Sequence, residues 1–122
     1  MSKIIISINP IHVENIINGT KKYEYRTKVA QKHVDSLIIY CTYPTKKVLA
    51  EVKIKSVLSF SPEELWQKTK DYSGISKEFY DKYFSGRKVA HAYELGDVLE
   101  YDEPKELEEF GFHNAPQSFA YV

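Results

Sequence analysis

The pattern of the chain predicts an α+β fold, a mixed and partly closed β-barrel of about six strands with helices flanking it. Three observations carry this expectation. Stretches of strand length and strand composition recur at short spacing, near residues 3–8, 23–26, 36–42, 48–58, 88–101 and 119–122. Helices do not alternate with these strands, which argues against a doubly wound parallel sheet. Helix starts are marked at three places only, one after the first strand and two close together in the second half. A small barrel removes the exposed edges that so many short strands would otherwise leave.

The 122 residues suit one domain, 1–122, with a core of its own and no room for a second. Hydrophobic residues at 43% and charged residues at 28% give an ordinary globular balance, so extended disorder is excluded. The net charge is zero, so no overall field draws the chain to a polyanion. The charges are unevenly placed, however. Lys21, Lys22, Arg26, Lys28 and Lys32 face the single Glu24 across residues 21–33, whereas acids dominate 94–109 around Lys105. Cys41 is the only cysteine, which excludes an intrachain disulfide or thiolate cluster and favours a reducing compartment. The first residues lack the apolar run of a signal peptide, and no window approaches a membrane span. The expectation is a cytoplasmic protein with no membrane partner.

Each element has a local cause. Residues 3–8 form a β-branched run that reads as a buried strand. Asn9-Pro10 is an N-cap followed by proline at the first helical position; Val13, Ile16 and Ile17 share a face, and Gly19 closes the helix. Residues 27–35 lack apolar periodicity and read as a polar, mobile loop. Residues 36–42 are apolar on both faces, as in a central strand. A turn at Tyr43-Pro44-Thr45-Lys46 leads into the alternation Val48, Ala50, Val52, Ile54, making a hairpin. Ser61-Pro62-Glu63-Glu64 is a capping box with Phe60 stapling onto Leu65, and Ser76 opens a second helix that Gly86 ends. Trp66, Phe79, Tyr83 and Phe84 read as core anchors for these helices. Residues 88–95 resume strand alternation, Gly96-Asp97 reads as a bend, 102–109 is acidic and interrupted by proline, and 119–122 can form a last strand beside the first.

The stretch with chemical content is Gly19-Thr20-Lys21-Lys22-Tyr23-Glu24-Tyr25-Arg26, at a helix-to-strand junction. Alternation puts Glu24 and Arg26 on one face about 6.6 Å apart, where each other or a common ligand can hold them. Gly19-x-Lys21-x-x-Glu24-x-Arg26 is similar to the Gly-x-Lys-x-x-Glu-x-Arg signature of ASCH domains, members of the PUA-like β-barrel superfamily. Ser7-Ile8-Asn9-Pro10, Leu37-Ile38-Ile39-Tyr40, Leu65-Trp66, Ser73-Gly74-Ile75-Ser76 and Pro116-Gln117-Ser118-Phe119 resemble a single-domain bacterial and archaeal subgroup. The resemblance spans nearly the whole chain.

What the resemblance implies is a PUA-like barrel that binds RNA or a modified nucleoside or nucleotide, in RNA metabolism or transcription-linked regulation. Lys21 and Arg26 suit phosphate, and the Glu24 carboxylate can accept from a base amine or ribose hydroxyl. The tyrosines at 23, 25, 40 and 43 can offer a stacking surface. The expected binding residues are Lys21, Glu24, Arg26, Tyr40, Gln117 and Ser118. One family branch removes the acetyl group of N4-acetylcytidine with a lysine and a threonine of this motif, and Glu24 stands at the threonine's place. Hydrolysis of a modified nucleoside or of RNA, with Lys21 and Glu24 as catalytic groups, is therefore the alternative. A protein-interaction module using the acidic C-terminal stretch is the third reading. The histidines at 12, 33, 91 and 113 have no zinc spacing, so no metal or cofactor is expected; His91 reads as structural.

Overall fold

A computed structural model describes residues 2–122. Lys3–Ile8 forms strand β1, and Asn9 caps helix α1 (Pro10–Ile17) by accepting from the Ile11 N–H. Gly19, at φ +87°, turns the chain out of α1 into β2 (Tyr23–Arg26), a conformation that a side chain would resist. Strand β3 (Ser36–Cys41) is buried along its whole length, as its two apolar faces predict. It forms a hairpin with β4 (Lys47–Phe60). Helices α2 (Pro62–Thr69) and α3 (Lys77–Tyr83) follow, joined through a 3₁₀ turn at Lys70–Tyr72. Strand β5 (Ala90–Lys105) and the short β6 (Phe119–Tyr121) complete the chain.

The strands make one sheet in the order β2-β5-β4-β3-β1-β6, in which only β1 and β3 run parallel. It curls into a half-barrel with the three helices flanking it, the predicted α+β PUA-like class. Alternation along β1 and β3 sorts the core. Ile4, Ile6 and Ile8 pack with Leu37, Ile39 and Cys41 and with Val13 and Ile16 of α1. Ile5, Ile38 and Tyr40 face the other way, under Leu107, Phe110 and Phe112. A third cluster joins Tyr25, Ala90 and Ala92 of the sheet to Leu65, Tyr80 and Phe84 of the helices.

Four local expectations need correction. Phe79 and Tyr83 are 48% and 38% exposed, so they are not core anchors. Tyr80 and Phe84 form the i, i+4 pair that α3 turns inward, and Phe79 and Tyr83 form the adjacent, outward pair. Gly96-Asp97 is not a bend: β5 runs through it as a bulge, the two residues opposite the single Lys53, and an opposite shift between Ile54 and Ser56 of β4 restores the register. Pro104 is tolerated because no partner is assigned between the pairs Ala50–Glu100 and Val48–Lys105. Ser61 accepts from the Glu64 N–H, yet the reciprocal half of that capping box is not made; a complete one forms at Glu106 and Glu109. The loop 27–35 is tied down, since Val34 is buried and the Ala30 N–H donates to the Tyr93 hydroxyl at 2.8 Å. Among the described residues no helix is long and apolar enough to cross a membrane.

Candidate functional site

Beyond Gly19 the chain turns inward, and Lys21 is only 3% exposed. Its Nζ donates to the Ser73 carbonyl at 2.8 Å and sits 4.8 Å from the centre of the Tyr25 ring. The Ser73-Gly74 turn lies directly on the aliphatic stem. A Cβ at Gly74, where φ is +68°, would come 2.4 Å from Lys21 Cβ. Only glycine permits that approach. Burial is the main cause that holds the Lys21 ammonium below its ordinary pKa; Glu24 opposes this and Arg26 adds to it.

Glu24 and Arg26 project from the same face of β2, as their spacing predicts. Arg26 Nε and Nη2 lie 3.0 and 2.9 Å from Glu24 Oε2. The guanidinium also reaches across the open seam of the curled sheet. Nη2 donates to the Ser7 carbonyl of β1 at 2.7 Å, and Nη1 makes a longer contact of 3.4 Å to Ser118 Oγ just before β6. Arg26 therefore joins the β2 edge to the opposite edge. Among the described residues Glu24 Oε1 receives no hydrogen bond.

These groups line a cleft of about 590 Å³ between α1, β2 and the helical insert. His12, from the first turn of α1, lies in it, with its ring edge against Phe79 at 5.6 Å. His12 Nδ1 is buried and has no hydrogen-bond partner. Burial first, then Lys21, lowers the His12 pKa; Arg26 contributes in the same direction and Glu24 in the other. Phe79 and Tyr83 stack on each other at 6.4 Å with their planes 8° apart, and both line the same cleft. The arrangement can offer cationic donors, a free carboxylate oxygen, an imidazole nitrogen and an aromatic rim to one ligand.

Of the residues expected from sequence, Lys21, Glu24 and Arg26 converge on this cleft. Ser118 does not line it and reaches it only through Arg26 and through Ser7, whose N–H donates to the Ser118 carbonyl. Gln117 is exposed and does not line it. Tyr40 is opposite Ser7 in register, but its ring is buried with Ile5, Ile38 and Val48 rather than in the cleft. Tyr25 is committed to the core, with its hydroxyl on Thr69 at 2.7 Å, and Tyr43 stands out on its turn. The aromatic rim comes instead from Phe79 and Tyr83. His91 bonds Ser59 Oγ at 2.7 Å and does not line the cleft. Sequence reasoning missed His12. The available signal was its place three residues before Asn15 on α1, since both line the cleft whose floor is Lys21.

Comparison with known proteins agrees with this fold. The ASCH protein of Zymomonas mobilis, of known crystal structure, superposes with a TM-score of 0.88 at 25% identity, over 98% of this chain and 87% of that one. The large ribosomal subunit protein uL22 of Ureaplasma parvum is 33% identical over 121 residues, 98% of this chain and 39% of that protein. The ATP synthase subunit alpha of the same species is 29% identical over 120 residues, 98% of this chain and 15% of that protein. The chain thus spans well under half the length of the curated relatives it matches. The ASCH domain itself matches residues 6–109, from within β1 to the turn after β5. On that match and the shared fold, this chain belongs to the ASCH domain family.

Proposed function

We propose that the cleft binds a single nucleotide unit, as part of an RNA strand or as a modified nucleoside. One observation carries this reading: a buried lysine, a glutamate–arginine pair and an unpartnered imidazole nitrogen line the same cleft as two exposed stacked aromatic rings. A base can stack on Phe79 or Tyr83, which is worth about 1–3 kcal/mol per base and tolerates any sequence. Glu24 Oε1 can accept from an exocyclic amine, and Lys21 and Arg26 suit a ribose oxygen or phosphate. ASCH domains are generally linked to RNA binding, and one matching relative is a ribosomal protein. The match to an ATP synthase subunit is the reason the proposal rests on the cleft and not on relatives' names.

The test is calorimetric titration with free nucleosides, N4-acetylcytidine among them, and with short single-stranded RNA. Glu24→Gln should weaken binding by about 1–3 kcal/mol if its bond to the ligand is charge-assisted. Lys21→Met should act similarly. Full affinity in both variants would refute the assignment.

The lowered pKa of Lys21 supports a second reading, hydrolysis of an acylated nucleoside. Water would add to the acyl carbonyl, the amide C–N bond would break, and the proton taken from water would pass to the departing amine, giving nucleoside and carboxylate. Lys21 or Glu24 would carry that proton. In this case Lys21→Met or Glu24→Gln should lower turnover by about 10²–10⁴-fold while affinity stays nearly intact. Chromatography of N4-acetylcytidine incubations separates the two readings.

A further inference from the structure

Lys21 also borders a second groove, of about 480 Å³, which shares no other residue with the first. Three further lysines line it: Lys22 at the entrance to β2, and Lys53 and Lys55 on β4. All three are exposed, and Asp97 is the single acid among the lining residues. Among the described residues none of the three forms an ion pair. Two features of the backbone build this groove. The β4–β5 register shifts on either side of Ile54, between the two lysines, which re-aims side chains on a strand. Gly96 lies beneath them, where a Cβ would meet Lys55 Cγ at 3.1 Å and Lys53 Cβ at 3.5 Å. A glycine there leaves the space that the two lysine stems occupy.

Lys22 Nζ lies over the Tyr72 ring at 4.5 Å, and none of the three lysines has a carboxylate partner, so like charges line one groove and an anion among them is favoured. The lining residues offer lysine point charges against the single carboxylate of Asp97, with no aromatic ring among them, which suits phosphates and ignores bases. The border with the nucleotide cleft is a single residue. We propose that this groove is a phosphate-backbone track, which takes the next few phosphates of a single-stranded RNA whose nucleotide occupies the first cleft. The proposal rests on the nucleotide reading of that cleft and extends it, making an RNA strand, and not a free nucleoside, the preferred ligand.

The experiment compares a labelled single-stranded RNA octamer of mixed sequence with free cytidine and N4-acetylcytidine, over a series of salt concentrations. The proteins are the unmodified chain, Lys22→Gln/Lys53→Gln/Lys55→Gln, and Asp97→Asn. Each phosphate contact on a single strand contributes about −0.7 to the slope of log K against log salt. The triple variant should therefore lose about 2 units of slope for the octamer and bind nucleosides unchanged. Asp97→Asn, which removes the only acid of the groove, should tighten octamer binding without changing nucleoside binding. An octamer slope that is unaltered in both variants overturns the track and leaves the nucleotide cleft standing. The track is likewise overturned if nucleosides bind and the octamer binds no better. Failure of octamer and nucleosides alike refutes the cleft and the track together.

Discussion

One wall of the cleft is built from α1 and β2, where the cationic groups are already engaged: Lys21 on a carbonyl, Arg26 on Glu24 and Ser7. The other wall is α3, where Phe79 and Tyr83 are partly open to solvent and line the cleft. The first wall is held in one geometry before any ligand arrives, which lowers the ordering cost of binding. The second leaves apolar surface in water, and a ligand that covers it gains about 25 cal/mol for each Å². If the cleft binds as proposed, the charged wall sets orientation and the aromatic wall supplies affinity. Substitutions on the first should damage the fold as well as the site, and those on the second the site alone.

The largest effect should come from Glu24→Ala. It leaves Arg26 in a largely buried place without its carboxylate, a change that typically destabilises by about 3–5 kcal/mol. Urea unfolding would measure it, and a loss below about 1 kcal/mol would show that the pair is not a fixed part of the wall. Gly74→Ala comes next. The methyl cannot share space with the Lys21 stem, so overpacking should cost about 1–3 kcal/mol, and displaced Lys21 should also cost ligand affinity. Unchanged melting and binding would mean that the turn gives way freely. Phe79→Ala should then weaken ligand binding by about 1–3 kcal/mol. Its own stability should stay within about 0.5 kcal/mol, as for an exposed site. A larger stability loss would erase the contrast between the walls.

The smallest effect sharpens the comparison through pH. The folded state holds His12 below its ordinary 6.5, so between the folded pKa and 6.5 the unfolded chain binds more protons. Stability should fall as pH drops through that window, and His12→Gln should remove that part of the slope. Lys21 obeys the same relation at the alkaline end. Its folded pKa is below 10.5, so the unfolded chain again holds more protons, and stability relative to Lys21→Met should rise as pH climbs through the folded pKa toward 10.5. Parallel pH profiles for parent and variants would contradict the burial of these groups.

Much of the charged wall was legible because its signals are local. A glycine in the left-handed region ends α1, and a period of two puts Glu24 beside Arg26. The aromatic wall was not legible, since α3 has seven residues and its two i, i+4 pairs, Phe79–Tyr83 and Tyr80–Phe84, are equally apolar. Only the packing of Tyr80 against Tyr25 and Trp66 decides which pair faces inward. Tyr40 misled for a related reason, because a strand buried on both faces hides its aromatic ring in the core. Gln117 and Ser118 arrive from the far end of the chain, and which of them meets Arg26 depends on how the sheet curls. The irregularity expected at Gly96-Asp97 is present as a bulge, two residues of β5 opposite the single Lys53, but that β5 would go on pairing beyond it depends on the compensating shift in β4 and could not be read locally.

The Phe60–Ala90 pair closes the β4–β5 ribbon, so the whole helical insert is topologically a hairpin loop. Lengthening a closed loop costs little, about 0.6 kcal/mol for each doubling. The insert is moored to the motif through the Tyr72 and Ser73 carbonyls, which accept from Lys22 N–H and Lys21 Nζ. Main-chain oxygens are the same whatever side chain stands beside them. Apart from Gly74 and the buried Leu65, Thr69, Tyr80 and Phe84 that pack against the sheet, residues 61–89 are thus free to diversify in sequence and length while the sheet keeps its register. A lineage could exchange one ligand for another by rewriting this loop, with the charged half of the site inherited intact.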